Sequence, residues 1–184
     1  MKMLTAVLMA GIALGVLSLD EAHAQGYLKF TGVQGEVTVE GYEGWSDFIS
    51  VVQRIAPTET TRGVATRVGD IPEFQQIALV KPLDKASLKI AERALRRIPT
   101  ETVEIEWVVN FGGDLKPYYR YELEDVTVVE YSSKGLGEPY SNQGWDGQIK
   151  EQIVLDFDEI TVTYWEYDEF GNPLGAVEYS WKRR

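Results

Sequence analysis

Residues 81–98, Lys-Pro-Leu-Asp-Lys-Ala-Ser-Leu-Lys-Ile-Ala-Glu-Arg-Ala-Leu-Arg-Arg-Ile, read as the one good helix in a chain otherwise written in strands. Asp84 can accept hydrogen bonds from the free amides of a first turn, so it is the expected N-cap. Leu88, Ala91, Leu95 and Ile98 recur at helical spacing and are expected to cover a sheet face. Arg93, Arg96 and Arg97 crowd the last turn, where the helix dipole favours cations, and Pro99 ends the run. A single capped helix set into a β-rich chain narrows the fold more than composition does.

Outside that helix the pattern is mostly of period two. Tyr27–Phe30 reads as a strand, followed by a turn with two glycines, Gly32 and Gly35, and a second strand over 37–40. Residues 45–55 read as a strand with imperfect alternation, and 73–81 as the strand that delivers the chain to the helix. Beyond Pro99, Val103, Ile105, Trp107 and Val109 alternate with Glu104, Glu106 and Val108, the signature of a half-buried strand. Residues 118–131 form its long partner, and the inward-facing set switches near Glu124-Asp125, which predicts a bulge or bend. Ile153, Leu155 and Phe157 mark a further strand, residues 160–167 another, and Val177, Tyr179 and Trp181 share one face of the last. The expectation is one mainly β domain with one helix, a barrel or tight sandwich.

Residues 1–24 stand apart. Lys2 precedes an uncharged apolar run from Leu4 to Leu19, and Ala22-His23-Ala24 supplies the small-x-small pattern that signal peptidase accepts. The apolar run is shorter than the roughly 20 residues a membrane-spanning helix needs. The reading is therefore a secretory signal peptide cleaved before Gln25, not an uncleaved anchor, leaving residues 25–184 as a single domain exported to the periplasm or beyond. No later run is long and apolar enough for such a helix.

Cleavage moves the net charge only from −11 to −10, because Lys2, Asp20 and Glu21 leave together. A field of that sign repels nucleic acid and anionic lipid, so neither is an expected partner. The chain has no cysteine, and its one histidine, His23, lies in the removed segment. Serine–histidine and cysteine–histidine catalysis, histidine metal sites and zinc clusters are thereby excluded from the mature protein. No cofactor is expected.

Several groups merit weighing. Asp156, Asp158 and Glu159, with Glu166, Asp168 and Glu169, offer oxygen ligands, but no calcium-loop spacing is present. A glycosidase needs one selected carboxylate pair, and nothing here selects one. Tyr140 and Trp145 sit in a glycine-rich loop, 132–147, where core packing is disfavoured, which makes them candidate contacts to a ligand or partner. The stretch 56–72 is too long for a simple connection, and Arg54, Arg62 and Arg67 stand out there as candidate contacts to acidic faces of another copy.

The order of these motifs resembles the haemolysin-coregulated protein (Hcp) family of type VI secretion. The resemblance is carried by Gly32-x-x-Gly35-Glu36, by Trp45 to Ile49, and by Lys81, Asp84, Lys85 and Ser87. It continues through Glu151 to Ile160 with Tyr164, and ends on Gly175 and Trp181, so it covers about 27–181. It implies a curled antiparallel β-barrel with one α-helix packed at its side and no catalytic residues. It also implies assembly into six-membered rings that stack into an expelled tube able to carry small effector proteins, with the 56–72 loop reaching a neighbouring subunit or ring. Residues 1–24 depart from the family pattern, since tube subunits need no signal peptide. The reading is therefore a non-enzymatic exported relative whose main partner is itself, in a homohexameric ring, with other secreted proteins or effectors as further partners. The alternative is a monomeric secreted β-domain binding a glycan or protein through Tyr140, Trp145 and neighbouring loop residues.

Overall fold

The computed structural model describes residues 25–57, 72–135 and 149–183. The elements in chain order are β1 (Gln25–Phe30), β2 (Ser46–Asp47), β3 (Ser50–Val52), β4 (Ile55–Pro57), β5 (Pro72–Phe74), β6 (Ile77–Pro82) and α1 (Ser87–Arg96). After these come β7 (Thr100–Phe111), β8 (Asp114–Lys134), β9 (Lys150–Asp156), β10 (Glu159–Tyr167) and β11 (Pro173–Lys182). All pairings are antiparallel. The main ladder runs β2-β1-β7-β8-β9-β6-β3, and the β10–β11 hairpin joins it through β8.

β8 makes the curl possible. Its first half pairs with β7 on one side and β10 on the other, while its second half, from Thr127, pairs with β9. Between the halves, burial moves from Tyr121 and Leu123 to Val126 and Val128, as the sequence predicts. There Asp125 takes a left-handed conformation, φ 52°, where the strand turns from one set of partners to the other, and a bulge follows between Val128 and Glu130.

The ends of the curled ladder meet across residues 46–52. Ser46 and Asp47 pair with β1, and Ser50 to Val52 pair with β6. Between them the Phe48 N–H bonds to Gly26 O at 3.1 Å and the Ile49 N–H to Val80 O at 2.7 Å. The single strand expected over 45–55 is thus three short ones, because the chain changes partner in passing from one end of the ladder to the other. That change also explains the imperfect alternation. The strand expected over 37–40 is absent. Residues 33–45 form instead a compact excursion tied by Gly35 N–H to Gly44 O at 2.6 Å and Gly44 N–H to Val37 O at 2.8 Å.

The barrel interior is filled by Leu28, Phe30, Ile77, Leu79, Val103, Ile105, Leu123, Ile153, Leu155, Phe157 and Ile160. A second, small core holds Tyr27, Val37, Tyr42 and Val108 beneath the 33–45 excursion. β7 therefore has neighbours on both faces: Ile105 and Trp107 face the main core, while Glu106, bonded to Tyr42, and Val108 alternate with them toward the second.

α1 has a different buried face from the one its spacing suggests. Ser87 and Ile90 are buried, with Ala94 packed against the core, whereas Leu88 and Leu95 are 79% and 86% exposed. The cause is the position of Ser87, whose hydroxyl belongs to a buried polar cluster described below. Fixing residue 87 inward brings i+3 and i+7 inward with it and turns Leu88 and Leu95, one residue on, about 100° away. The helix closes on a left-handed Arg97, with the Ile98 N–H bonded to Arg93 O at 3.0 Å. Ala86 occupies the N-cap position, and Asp84 caps the turn just before it.

Candidate functional site

Five separate stretches meet at the start of α1. Lys81 projects from β6 into the interior and is fully buried. Its Nζ donates to Asp84 Oδ1 at 2.7 Å, Glu151 Oε1 at 2.7 Å and Pro82 O at 2.8 Å. Ser87 donates to Glu151 Oε1 at 3.0 Å and accepts the Asp84 N–H at 3.0 Å. Tyr131 of β8 donates to the other Glu151 oxygen at 2.6 Å, and Ser46 of β2 donates to Asp84 Oδ2 at 2.6 Å. The Lys85 N–H reaches Glu36 Oε1 at 3.0 Å. A buried ammonium thus has two carboxylates, whose remaining oxygens are held by hydroxyls, at the positive end of the helix dipole.

The electrostatics follow from this wiring. Burial alone would raise the Asp84 carboxyl, but the Lys81 and Ser46 hydrogen bonds prevail and hold it below the ordinary carboxylate value. Burial and the adjoining Glu151 carboxylate push the Tyr131 phenol up, so it remains a donor. Each acceptor already has its donor, so the arrangement fixes the helix to the barrel. Gly35 shows how tight the neighbouring turn is: a Cβ there would lie 2.1 Å from Trp45 O.

The second notable surface is apolar. In the β10–β11 register Tyr164 lies opposite Val177 and Val162 opposite Tyr179, so these four share a face with Ile160 and Trp181. Ile160 is in the core, but Tyr164, Val177 and Tyr179 are exposed. The face that the sequence assigns to Val177, Tyr179 and Trp181 is therefore correct, while only Trp181 packs against the core. Beside it lies a hollow of about 270 Å³ lined by Gln53, Ile55, Phe74, Tyr119, Tyr121, Val162, Tyr179 and Trp181. The hairpin tip is anchored: Tyr167 donates to Pro117 O at 2.9 Å, and Lys116 Nζ to Gly171 O at 2.6 Å.

The residues singled out from the sequence fall as follows. Arg54 is exposed between β3 and β4, next to the hollow. Arg62, Arg67, Tyr140 and Trp145 lie outside the described residues. Asp156 is paired with Arg183 at 2.6 Å and Glu159 with Lys182 at 2.8 Å. Asp168 organises its own turn, accepting the N–H groups of Phe170 and Asn172. Among the described residues no group of three or more acidic side chains is placed to hold a metal ion, and no described helix is long and apolar enough to cross a membrane. The exposure of Leu88 and Leu95 and the Lys81–Glu151 pairing have no signal in the sequence. The pairing joins residues 70 apart, and only the β6–β9 register, Lys81 opposite Glu151, brings them together.

A curled antiparallel sheet with one described helix packed at its side defines a structural class, and solved proteins share that fold. A structure described as a type six secretion system protein is 22% identical, with 87% of this chain and 96% of that chain covered and a TM-score of 0.72. Hcp1 from Salmonella typhimurium is 15% identical, with coverage of 88% and 95% and a TM-score of 0.68. The secreted protein Hcp3 from Pseudomonas aeruginosa is 17% identical, with coverage of 88% and 99% and a TM-score of 0.61. At these identities the likeness is one of fold. The family described as "Type VI secretion system effector, Hcp" matches residues 27–164, and the chain belongs to it. No curated protein sequence matches the chain.

Proposed function

We propose that this chain is a non-enzymatic, exported Hcp-family subunit that assembles with its own copies into closed rings, of six members by the family pattern. The observation that carries the reading is the apolar face of β10–β11, where Tyr164, Val177 and Tyr179 stand in solvent beside an aromatic hollow. Contiguous apolar surface of this kind marks an interaction site. Residues 1–24 are the signal peptide of the reading and residues 25–184 its folded unit. Arg54, with Arg62 and Arg67 on the adjoining stretch, meets acidic surface of a neighbouring copy. Secreted effector proteins are the further partners, held within the ring.

Light scattering on the exported chain after gel filtration tests the assembly. The expected result is a single species near six times the monomer mass. A strict monomer across a hundredfold range of concentration overturns the reading.

A further inference from the structure

We propose that the outer face of α1 docks onto the β10–β11 face of the next copy, Leu88 and Leu95 covering its aromatic hollow. This rests on the ring reading above and assigns the two surfaces that meet in it.

Leu88 and Leu95 lie seven residues apart, hence two turns apart on one stripe, and both stand almost fully in solvent. The helix is held in that rotation by Ser87, buried against Lys81 and Glu151, so it cannot turn the leucines inward without breaking the cluster. The β10–β11 face is equally fixed, because Lys116 and Tyr167 pin the hairpin tip to the β7–β8 end of the barrel. Both surfaces are therefore preformed, which lowers the ordering cost of association. An apolar helix stripe laid into a hydrophobic hollow is a recurrent recognition mode.

Charge selects the crossed pairing over a symmetric one. Residues 87–97 carry Lys89, Arg93, Arg96 and Arg97 against one carboxylate, Glu92, in a protein of net charge −11. On the face of Tyr164, Val177 and Tyr179 the hairpin carries Glu166, with Asp168 and Glu169 at its tip and no cation; Lys182 lies on the other face, paired with Glu159 at 2.8 Å. Helix against helix would oppose cations, and hairpin against hairpin would oppose carboxylates. Helix against hairpin matches both the apolar centre and the sign of the rim. Since each copy presents one of each surface, the contact is heterologous, and its repetition closes a ring if the rotation permits.

The chain has no cysteine of its own, which gives a clean background for cross-linking. Leu95→Cys and Tyr179→Cys are made singly in the full chain and treated with a short bis-maleimide, alone and mixed after exchange of subunits. The mixture is expected to yield a linked dimer that neither single variant yields, and the double variant a ladder of linked copies. Leu95→Glu and Tyr179→Glu, at exposed sites, keep the circular dichroism and melting behaviour of the parent. Each is expected to weaken assembly at least about tenfold, the loss that removal of a central contact brings. Linked dimers from either single variant alone in the yield of the mixture overturn the crossed pairing. So do no link in the mixture and unchanged ring mass in both Glu variants; the rings then persist through other surfaces and the assembly reading stands. A parent chain that is monomeric by light scattering overturns both.

Discussion

Lys81 is the residue on which most of the local order depends. Its ammonium is fully buried, and Glu151, also buried, has no water to fall back on. Lys81→Met leaves the Glu151 charge buried without its counter-ion, and chemical denaturation should report a loss of about 3–5 kcal/mol. Lys81→Met combined with Glu151→Leu should recover much of that loss, because the orphaned charge is then gone. A loss from the double variant as large as from the single one would mean that the cluster acts through shape and not charge. Asp84 sets the acid limb of stability. Its carboxyl is held below the ordinary value in the fold, so its contribution is present above the unfolded value and disappears as pH falls through the folded one. Asp84→Asn should be less stable than the parent at neutral pH, and the difference should narrow below about pH 4. A constant difference down to pH 2 would contradict this assignment.

The long strand β8 and the helix α1 show what single elements contribute. β8 serves two parts of the sheet because Asp125 holds a left-handed conformation between them. Asn and Asp tolerate that region, whereas a β-branched residue does not. Asp125→Val should therefore destabilise by about 1–2 kcal/mol, and Asp125→Asn should stay within about 0.5 kcal/mol, as thermal melts can measure. An equal loss in both would place the role of Asp125 in its charge. For α1, rotation is decided at one end. Ser87 is drawn into the polar cluster, and the rest of the helix follows rigidly, leaving two leucines outside.

At the scale of the molecule, the barrel is stabilised in two ways. A continuous apolar interior spans β1, β6, β7, β8, β9 and β10, and a small second core lies under residues 33–45. Neither core takes in Tyr164, Val177 or Tyr179 of β10–β11, or Leu88 or Leu95 of α1. These two uncovered surfaces are the ones that the proposed assembly pairs, and the proposed helix-to-hairpin contact would give it a direction. Its apolar centre should make assembly persist in salt, while the charged rim should slow association as salt rises.

The sequence alone determined the order of elements from β6 through α1 to β11, the bend near Glu124-Asp125, the inward set of Ile153, Leu155 and Phe157, and the family, because these rest on local periodicity and on ordered short motifs. It could not assign partners to residues far apart in the chain. Glu36, Lys81, Ser87 and Glu151 were legible as motif positions, but their meeting in one buried cluster depends on the sheet curling. The same holds for α1. Periodicity gave an amphipathic helix with Leu88 and Leu95 as its obvious apolar stripe, and a hydrogen-bonded serine outweighed two leucines in choosing the buried face. The reason is energetic: an exposed leucine forgoes about 1.5–3 kcal/mol of burial. Turning Ser87 out would strip Glu151 Oε1 and the Asp84 N–H of their hydroxyl partner, at about 1.5–3 kcal/mol for a bond to a charged group, and would take Ile90 and Ala94 off the core as well. Only the tertiary structure places both terms at one helix, and so decides which surface is left for another molecule.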